Sequence, residues 1–405
     1  MLGSEPGRPG QETQPPMNEG GLSDEQAQLL EQADRLSQAQ LAPLARRMDD
    51  EEWWPDEAFR ALGQQGYLGV TAPVELGGAG LDLFSSGLVL QAISRWNHAL
   101  GLSWVAHDNL CMNNILRNGN PDQQARFVPP LCDGSAIGCL ALTEPGAGSD
   151  AIGSMATTAV RDGSDYVIRG RKLYITNGPV ADLALLYAKT NPSLGSKGVS
   201  AFVIPMDTPG VSVTQKLVKM GFRGSQTAEL AFEDCRVPAE NRIGDENAGV
   251  QCLMSGLDLE RAMISPICVG MAERALDISI DFARQREQFG EPIVNFQMIQ
   301  SRLADMHVLV ETMRTYNYHC LAQLNDLPVG EGGRGEAHGL SATSVLYAAN
   351  SLNRVLDHAV QIHGGHGYIW ETEINRLYRG IKLLEIGAGT TEVRKLIIAE
   401  ELLKT

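Results

Sequence analysis

The hydrophobic pattern divides the chain into three zones. Apolar residues recur with helical spacing over residues 21–136 and again over 246–405, whereas short alternating apolar runs fill residues 137–245. Asp162-Gly163 lies between two such runs and predicts a hairpin. The pattern predicts an α+β multi-domain protein with an N-terminal helical domain, a middle β domain and a C-terminal helical domain. Because strands and helices do not alternate, a doubly wound nucleotide-binding fold is not expected.

Composition and charge argue against several classes of protein. The chain has 405 residues and a formal net charge of −16, which disfavours binding to nucleic acid or to an anionic membrane. No apolar run reaches the length of a membrane span. Residues 1–20 are rich in Gly, Pro, Gln and Glu and lack the apolar core of a signal peptide, so they predict a disordered leader. The cytoplasm is the expected location.

Cysteine and histidine usage gives no sign of a disulfide framework or a metal site. The 7 cysteines are scattered and form no C-x-x-C pair, which is typical of buried thiols in a reducing compartment. His363 and His366 form an H-x-x-H pair, but no acidic or cysteine partner stands at a metal-site spacing. We therefore expect no metal.

One carboxylate interrupts an apolar helix stripe. The stripe consists of Leu253, Leu257, Ile264, Ile267, Met271, Ala275, Ile278 and Phe282. Glu260 occupies a stripe position, where a charge is costly unless it is paired or functional. From the pattern alone, Glu260 either has a structural role, in an ion pair or at the edge of the stripe on a slightly turned helix, or is a catalytic group with a perturbed pKa.

A glycine-rich loop at Leu142–Asp150 is a candidate ligand site. Residues 146–151 match G-x-G-x-x-A, but strands rather than a helix are predicted to follow, so the dinucleotide fingerprint does not apply. The loop offers backbone N–H groups and the hydroxyls of Thr143 and Ser149, which suit an anionic or carbonyl-bearing ligand. A plain surface turn is the alternative.

Two further segments carry polar chemistry near predicted helix ends. Gly387–Glu392 precedes an amphipathic helix that Thr390 or Thr391 can cap, and such a helix start attracts negative charge, for example a pyrophosphate. An ordinary cap and turn is the alternative. Arg284–Gly290 ends another helix, and its arginines are either solvated or grip a phosphate.

Together these motifs resemble the acyl-CoA dehydrogenase family over nearly the whole chain after about residue 22. The matching stretches are Leu142–Asp150, Tyr174–Gly178, Met220–Ser225, Arg284–Gly290 with Phe296-Gln297, Gln361–Tyr368 and Ile386–Arg394. Within the family, the sequence is most similar to the isovaleryl-CoA dehydrogenase branch. That similarity is carried by Ala106–Cys111, Gly256–Arg261 and Glu385–Thr390.

The resemblance implies an N-terminal α domain, a middle β-barrel domain and a C-terminal four-helix bundle, assembled as a homotetramer that binds FAD. The positions that match FAD contacts, partly across a subunit interface, are Leu140, Leu142, Thr143, Gly148, Ser149, Tyr174, Ile175, Thr176, Arg286, Gln288, Phe289, Gln297, Gln361, Ile362, Gly364, Gly365, Thr390, Thr391 and Glu392. Those that match acyl-CoA contacts are Ser149, Ser196, Lys197, Gln251, Asp258, Leu259, Arg261, Gly387, Ala388 and Gly389.

Three departures from the family pattern matter. In the larger part of the family the catalytic Glu lies in a Y-E-G-T motif, but residues 387–390 here read Gly-Ala-Gly-Thr. The isovaleryl-like branch takes its base from a D-L-E-R helix, which implies Glu260 as the base. Tyr174 stands where the family has a Trp beside the flavin, and Gln251 replaces a Tyr of the isovaleryl enzyme. The change at Gln251 weakens a narrow substrate assignment.

The implied reaction is α,β-dehydrogenation of a short or branched acyl-CoA, with electrons passed to electron-transfer flavoprotein. Alternatives within the fold are a dehydrogenase of a citronellyl-type or carrier-bound thioester and an acyl-CoA oxidase. A non-catalytic homologue that acts in binding or assembly is the alternative from another class. Chain length, branching and pathway stay open at the level of sequence.

Overall fold

The fold was analysed in a computed structural model, which describes residues 21–325, 327–328 and 332–404. Helices fill the first part of the chain, strands the middle and helices the last part, which confirms the predicted fold class. The predicted leader, residues 1–20, lies outside the described residues. In the described part, no helix is both long and apolar enough to cross a membrane.

Short helices build the N-terminal region. The α-helices are α1 (Asp24–Leu36), α2 (Ala45–Glu51), α3 (Asp56–Gln64), α4 (Leu83–Trp96), α5 (His98–Val105), α6 (Asn113–Asn118) and α7 (Pro121–Cys132). A π-helical turn spans Ala106–Met112 between α5 and α6. Helix α1 starts with a capping box in which Ser23 and Gln26 bond each other's backbone N–H. Helix α4 is buried along nearly its whole length and forms the centre of this region.

Eight strands form the middle sheet. They are β1 (Gly138–Ala141), β2 (Thr158–Asp162), β3 (Asp165–Thr176), β4 (Leu183–Lys189), β5 (Val199–Pro205), β6 (Val211–Lys216), β7 (Thr227–Pro238) and β8 (Arg242–Ile243). The order is β6-β7-β3-β2-β4-β5-β8, with β1 paired in parallel to β4. Strands β2 and β3 are antiparallel and pair through Asp162 and Asp165, which confirms the hairpin predicted at Asp162-Gly163.

The sheet curls around one apolar core. Side chains from both halves of the sheet meet there, among them Ala184 and Phe202 from β4 and β5 and Ile168 and Phe232 from β3 and β7. The opposite face of β4 and β5 packs on the N-terminal helices and on Leu253. The middle domain is therefore anchored on its neighbours by alternate residues of the same strands.

The C-terminal region is a helical bundle. Its helices are α8 (Gly249–Gln285), α9 (Gln297–Leu324), α10 (Glu336–His363), α11 (Gly365–Tyr368), α12 (Glu373–Leu384) and α13 (Thr391–Leu403). A small hairpin of β9 (Glu287–Gln288) and β10 (Glu291–Pro292) joins α8 to α9. The predicted domain boundaries, at residues 20, 136 and 245, stay predictions.

Helix α8 runs through the centre of the molecule and contacts both helical regions. It packs closely on α4, since a Cβ at Gly270 would lie 2.3 Å from the carbonyl oxygen of Gln91. It also continues through Pro266, whose ring cannot donate to the carbonyl of Ala262. That carbonyl instead accepts a long hydrogen bond of 3.5 Å from Asn317 Nδ2 on α9.

Candidate active site

Glu260 lies near the first third of α8 and is partly buried. Among the described residues, its carboxylate has no hydrogen-bond or ion-pair partner. Burial raises its pKa from an ordinary 4.5 to about 7, against the opposing positive charges of Arg261 and Arg394. The structural ion pair that the sequence left open is therefore not formed in the described part of the chain. The Glu260 carboxylate is thus unpaired among the described residues and has a raised pKa.

A buried network surrounds Asp258, two residues before Glu260 on α8. Asp258 Oδ1 accepts from Arg261 Nη1 at 2.9 Å and pairs with His338 Nδ1 at 2.6 Å. Its Oδ2 accepts from the backbone N–H of Gly333 at 2.6 Å. Because both oxygens of Asp258 are hydrogen-bonded, its carboxylate holds Arg261 in one orientation and ties α8 to the start of α10.

The loop at residues 387–389 is held by two arginines. Arg261 Nε donates to the carbonyl of Ala388 at 3.2 Å, and Arg394 Nη2 donates to the carbonyl of Gly387 at 2.5 Å. Ala388 adopts a left-handed φ of 54°, which a non-glycine residue adopts at a cost. The charges of the same two arginines oppose the rise in the pKa of Glu260, so they link the loop electrostatically to its carboxylate.

Thr390 caps the helix that follows this loop. Its side chain accepts from the N–H of Val393 at 3.3 Å, which confirms one of the two caps predicted. Thr391 begins α13, and the exposed Glu392 places a carboxylate at the helix start, where bonds to its own N–H and to Thr390 lower its pKa. That negative charge disfavours a phosphate at this position and favours a hydroxyl-bearing part of a ligand.

A buried ion pair shapes the glycine-rich loop after β1. Lys172 on β3 has no exposed surface, and its Nζ donates to Glu144 Oε1 at 2.8 Å and to the carbonyl of Leu142 at 2.9 Å. Glu144 also accepts from the backbone N–H groups of Ala156 and Thr157, at 2.6 and 3.0 Å. Both carboxylate oxygens of Glu144 are therefore hydrogen-bonded, and Lys172 holds the loop against β3.

The part of this loop around Gly148 and Ser149 is exposed. Thr143 is joined to β3 by a 2.8 Å bond from the N–H of Leu173 to its carbonyl, while Gly148 and Ser149 are exposed. A Cβ added at Gly148 would meet nothing within 4 Å. The loop leads directly into turns and then β2, not into a helix, which confirms that the dinucleotide fingerprint does not apply.

Tyr174 stands beside the loop at the end of β3. It has a left-handed φ of 62° and 65% of its surface is exposed, whereas Ile175 is buried and Thr176 partly buried. Leu140 and Leu142 pack with the apolar cluster that contains Leu253. These contacts bring the loop and the end of β3 to the end of α8 that carries Glu260.

The remaining predicted cofactor residues lie at the other end of the bundle. Phe282 near the end of α8 stacks on His363 at the end of α10, with ring centroids 4.3 Å apart. Exposed residues cluster around this contact, namely Arg286, Gln288, Phe289, Gln297, Gln361, Gly364 and Gly365, with Ile362 buried beneath them. Along a helix that rises 1.5 Å per residue, Arg286 is about 39 Å from Glu260. The two groups cannot surround one end of the same ligand within one chain.

The predicted substrate residues divide between a buried and an exposed part. Asp258, Leu259 and Arg261 are buried on α8, and the 387–389 loop is partly buried. Ser196 and Lys197 are exposed on a 3-10 segment, as is Gln251 in the first turn of α8. Because a Cβ at Gly249 would lie 2.8 Å from the carbonyl of Val199, this segment and the start of α8 are neighbours.

Residues of both groups fit the requirements of a flavin dinucleotide. Near Glu260, an exposed tyrosine and a glycine loop with free N–H groups suit a flat ring with polar edges. At the far end, Phe289 is 98% exposed, and Cβ atoms added at Gly364 and Gly365 would meet nothing within 4 Å. An exposed apolar ring such as that of Phe289 is typical of a binding surface.

Sequence reasoning missed three residues that organise the site. Lys172, His338 and Arg394 are buried, and each bonds a residue that the motifs had singled out. Arg394 ends the Ile386–Arg394 motif, and Glu144, the partner of Lys172, lies inside the Leu142–Asp150 motif. The motifs therefore contain these two residues, but the sequence does not show which residue each of them bonds.

Three family models match successive parts of the chain. They are described as the acyl-CoA dehydrogenase N-terminal domain over residues 23–135, the middle domain over 139–235 and the C-terminal domain over 247–403. The chain therefore belongs to the acyl-CoA dehydrogenase family, a FAD-dependent family of oxidoreductases.

Individual relatives agree with this classification. A mitochondrial 2-methylacyl-CoA dehydrogenase of Solanum tuberosum is 43% identical over 95% of this chain and 92% of its own length. A mitochondrial isovaleryl-CoA dehydrogenase of Oryza sativa subsp. japonica is 42% identical with the same coverage. The structure of butyryl-CoA dehydrogenase from Megasphaera elsdenii superposes with a TM-score of 0.89 at 33% identity, covering 95% of this chain and 99% of the other.

Replacement of Lys172 should expose the role of the buried ion pair. In Lys172→Met, the buried Glu144 carboxylate loses its counter-charge, so we expect unfolding to become easier by about 3–5 kcal/mol and FAD retention on gel filtration to fall. Chemical denaturation and the flavin-to-protein absorbance ratio measure the two effects. Lys189→Met is the control, because it removes a partly buried lysine of the same sheet whose Nζ donates to the carbonyl of Gly153. Equal stability of the two variants would contradict the expectation.

Proposed function

We propose that this enzyme dehydrogenates a short or branched acyl-CoA between its α and β carbons, with Glu260 as the base. The observation that carries the proposal is the unpaired Glu260 carboxylate, whose pKa burial raises to about 7. The family resemblance implies two places for the base. Only Glu260 provides a carboxylate, since the loop position is Ala388.

The α C–H of a thioester is a very weak acid, so two groups have to act on it together. Glu260 takes up the α proton, and its raised pKa makes it a stronger base than an exposed carboxylate. A backbone N–H of the 387–389 loop stabilises the negative charge that develops on the thioester oxygen. When bound, FAD supplies the oxidant that accepts the hydride from the β carbon.

The two separated groups of cofactor residues support a shared FAD site. We assign Leu140–Ser149, Tyr174–Thr176 and Thr390–Glu392 to the flavin and ribityl end. The group around Arg286 and Gln361 then serves the FAD of a neighbouring subunit, because it lies about 39 Å along α8 from Glu260. A homotetramer, as the family resemblance implies, is the proposed assembly.

The substrate class rests on relatives and on two small residues. The relatives named for 2-methylacyl-CoA and isovaleryl-CoA both act on branched acyl groups according to their names. Gly387 and Ala388 leave room for a branch beside Glu260, and the exposed Lys197 provides a cation for the anionic part of CoA. Electron-transfer flavoprotein is the proposed acceptor. The cytoplasmic location expected from the sequence stays a prediction.

Removal of the base should abolish turnover without loss of the cofactor. Glu260→Gln keeps size and shape but cannot take up a proton, so we expect the rate of dehydrogenation to fall by about 10²–10⁴-fold while FAD stays bound. Stopped-flow bleaching of the flavin by acyl-CoA measures the chemical step. Glu273→Gln is the matched control, because Glu273 is a glutamate on the same helix that pairs with Arg314. Near-full activity of Glu260→Gln would rule out this base.

Activity should also follow the ionisation of Glu260. Because the carboxylate form is the base, kcat/KM should fall about tenfold per pH unit below a pKa near 7 and level off above it. Arg261 and Arg394 are the charged groups that oppose the shift caused by burial. The profile is measured with a dye acceptor in excess. A profile that stays flat down to about pH 5 would contradict the raised pKa.

A substrate and acceptor panel tests the specificity. We expect the highest kcat/KM for branched short-chain acyl-CoA esters, and faster turnover with electron-transfer flavoprotein than with oxygen. Straight-chain, terpenoid and carrier-bound thioesters form the rest of the panel. Stoichiometric oxygen consumption would instead identify an oxidase, and a clear preference for a carrier-bound thioester would replace the CoA assignment. A colourless protein that takes up no FAD would indicate a non-catalytic homologue.

A further inference from the structure

Arg394 on α13 is a buried cation with little compensation. It has no exposed surface, and in the described part of the chain no carboxylate lies within ion-pair distance of it. Among the described residues its Nε and Nη1 have no hydrogen-bond partner, and only Nη2 donates, to the carbonyl of Gly387 at 2.5 Å. A buried charge with a single hydrogen bond and no ion pair in the described part of the chain is unfavourable, so a purely structural account of Arg394 is incomplete.

The bond to Gly387 acts on the peptide that joins Gly387 to Ala388. In a planar trans peptide the C=O and the N–H point in opposite directions, so the N–H of Ala388 points away from the Arg394 guanidinium. Among the residues that the structure describes, nothing accepts from this N–H. Arg261 Nε meanwhile holds the carbonyl of Ala388 itself at 3.2 Å. The peptide is therefore fixed on its carbonyl side and free on its N–H side.

We propose that Arg394 is a positioning residue that aims and polarises the Gly387–Ala388 peptide, so that the Ala388 N–H binds the thioester carbonyl oxygen of the substrate. This inference rests on the proposed acyl-CoA dehydrogenation. Arg394 does not touch the substrate, and its effect reaches the reaction only through the peptide.

The physical basis is cooperative hydrogen bonding. A charged donor on a carbonyl draws electron density from the peptide and strengthens the N–H of the same unit as a donor. The effect is large where water is excluded, and Arg394 is fully buried. The left-handed φ of 54° at Ala388 requires outside support, which the two arginines provide.

A merely structural role makes a different prediction. If Arg394 only fastens α13 to the loop, its loss weakens the binding of every ligand to the same degree. If it polarises the peptide, its loss weakens only those ligands that carry a carbonyl oxygen at the thioester position. A pair of ligands that differ in that oxygen alone separates the two roles.

The experiment uses the FAD-loaded enzyme with a 2-enoyl-CoA thioester and the S-alkyl-CoA thioether of the same chain. We expect the wild type to bind the thioester more tightly than the thioether. In Arg394→Met the ratio of the two affinities should fall by about tenfold, which corresponds to one modest hydrogen bond. Arg394→Gln keeps a donor for Gly387 but loses the charge, so its loss should be smaller. Arg376→Met removes another largely buried arginine, whose Nε also lacks a partner, from α12 and should leave the preference unchanged.

Infrared difference spectra of the ¹³C-labelled thioester carbonyl provide a second readout. Binding to the wild type should lower the carbonyl stretching frequency relative to water, and the variants should reverse part of that shift. No downshift in the wild type overturns the proposal, even if no variant folds. An unchanged preference and an unchanged shift in either Arg394 variant also overturn it.

Failure of this inference can be told apart from failure of the proposed function. If the wild type oxidises acyl-CoA and Glu260→Gln does not, the dehydrogenation stands whatever the Arg394 variants do. If the wild type oxidises no acyl-CoA but still prefers the thioester and shifts its carbonyl, the loop binds a thioester for another reaction.

Discussion

The rigidity of α8 is the constraint on which the rest of the structure depends. This helix spans 37 residues and carries Glu260 near one end and the predicted phosphate-binding Arg286 just beyond the other. A continuous helix cannot bring these positions together, because each residue adds 1.5 Å. A complete FAD site built from both groups therefore requires two chains. The proposed catalytic carboxylate of Glu260 is fixed on the same helix that sets this spacing, so its position does not depend on a loop.

Buried charges hold the loops around α8. Lys172 and Glu144 fix the glycine-rich loop from beneath, and Asp258 orients Arg261 toward the loop at residues 387–389. In both cases the side chain of a rigid strand or helix bonds the backbone of a loop. Buried ion pairs contribute little net stability but specify geometry, and loops that present their N–H groups to a ligand need such support.

Local sequence patterns predict much of the fold. They do not predict the long-range hydrogen bonds that hold the candidate site in place. The change from helical to alternating spacing predicts the three regions, and the Asp162-Gly163 hairpin and the Thr390 cap need only a few neighbouring residues. Glu260 stands out because it interrupts an apolar stripe. The bonds from Lys172 to Glu144 and from His338 to Asp258 join residues 28 and 80 positions apart. No periodicity contains that information, since it arises only when the elements pack.

The proposed position of the base, Glu260 on α8, changes the role of the loop at residues 387–389. Where the family carries its carboxylate on the loop, one segment supplies both the base and the backbone donor. In this chain Ala388 leaves the loop with backbone chemistry alone, and Glu260 supplies the carboxylate from α8. The loop can then be gripped through its carbonyls at Gly387 and Ala388 without any constraint on a side chain. A strained, arginine-held peptide is therefore compatible with the proposed mechanism, because the proposed proton acceptor, Glu260, lies on α8.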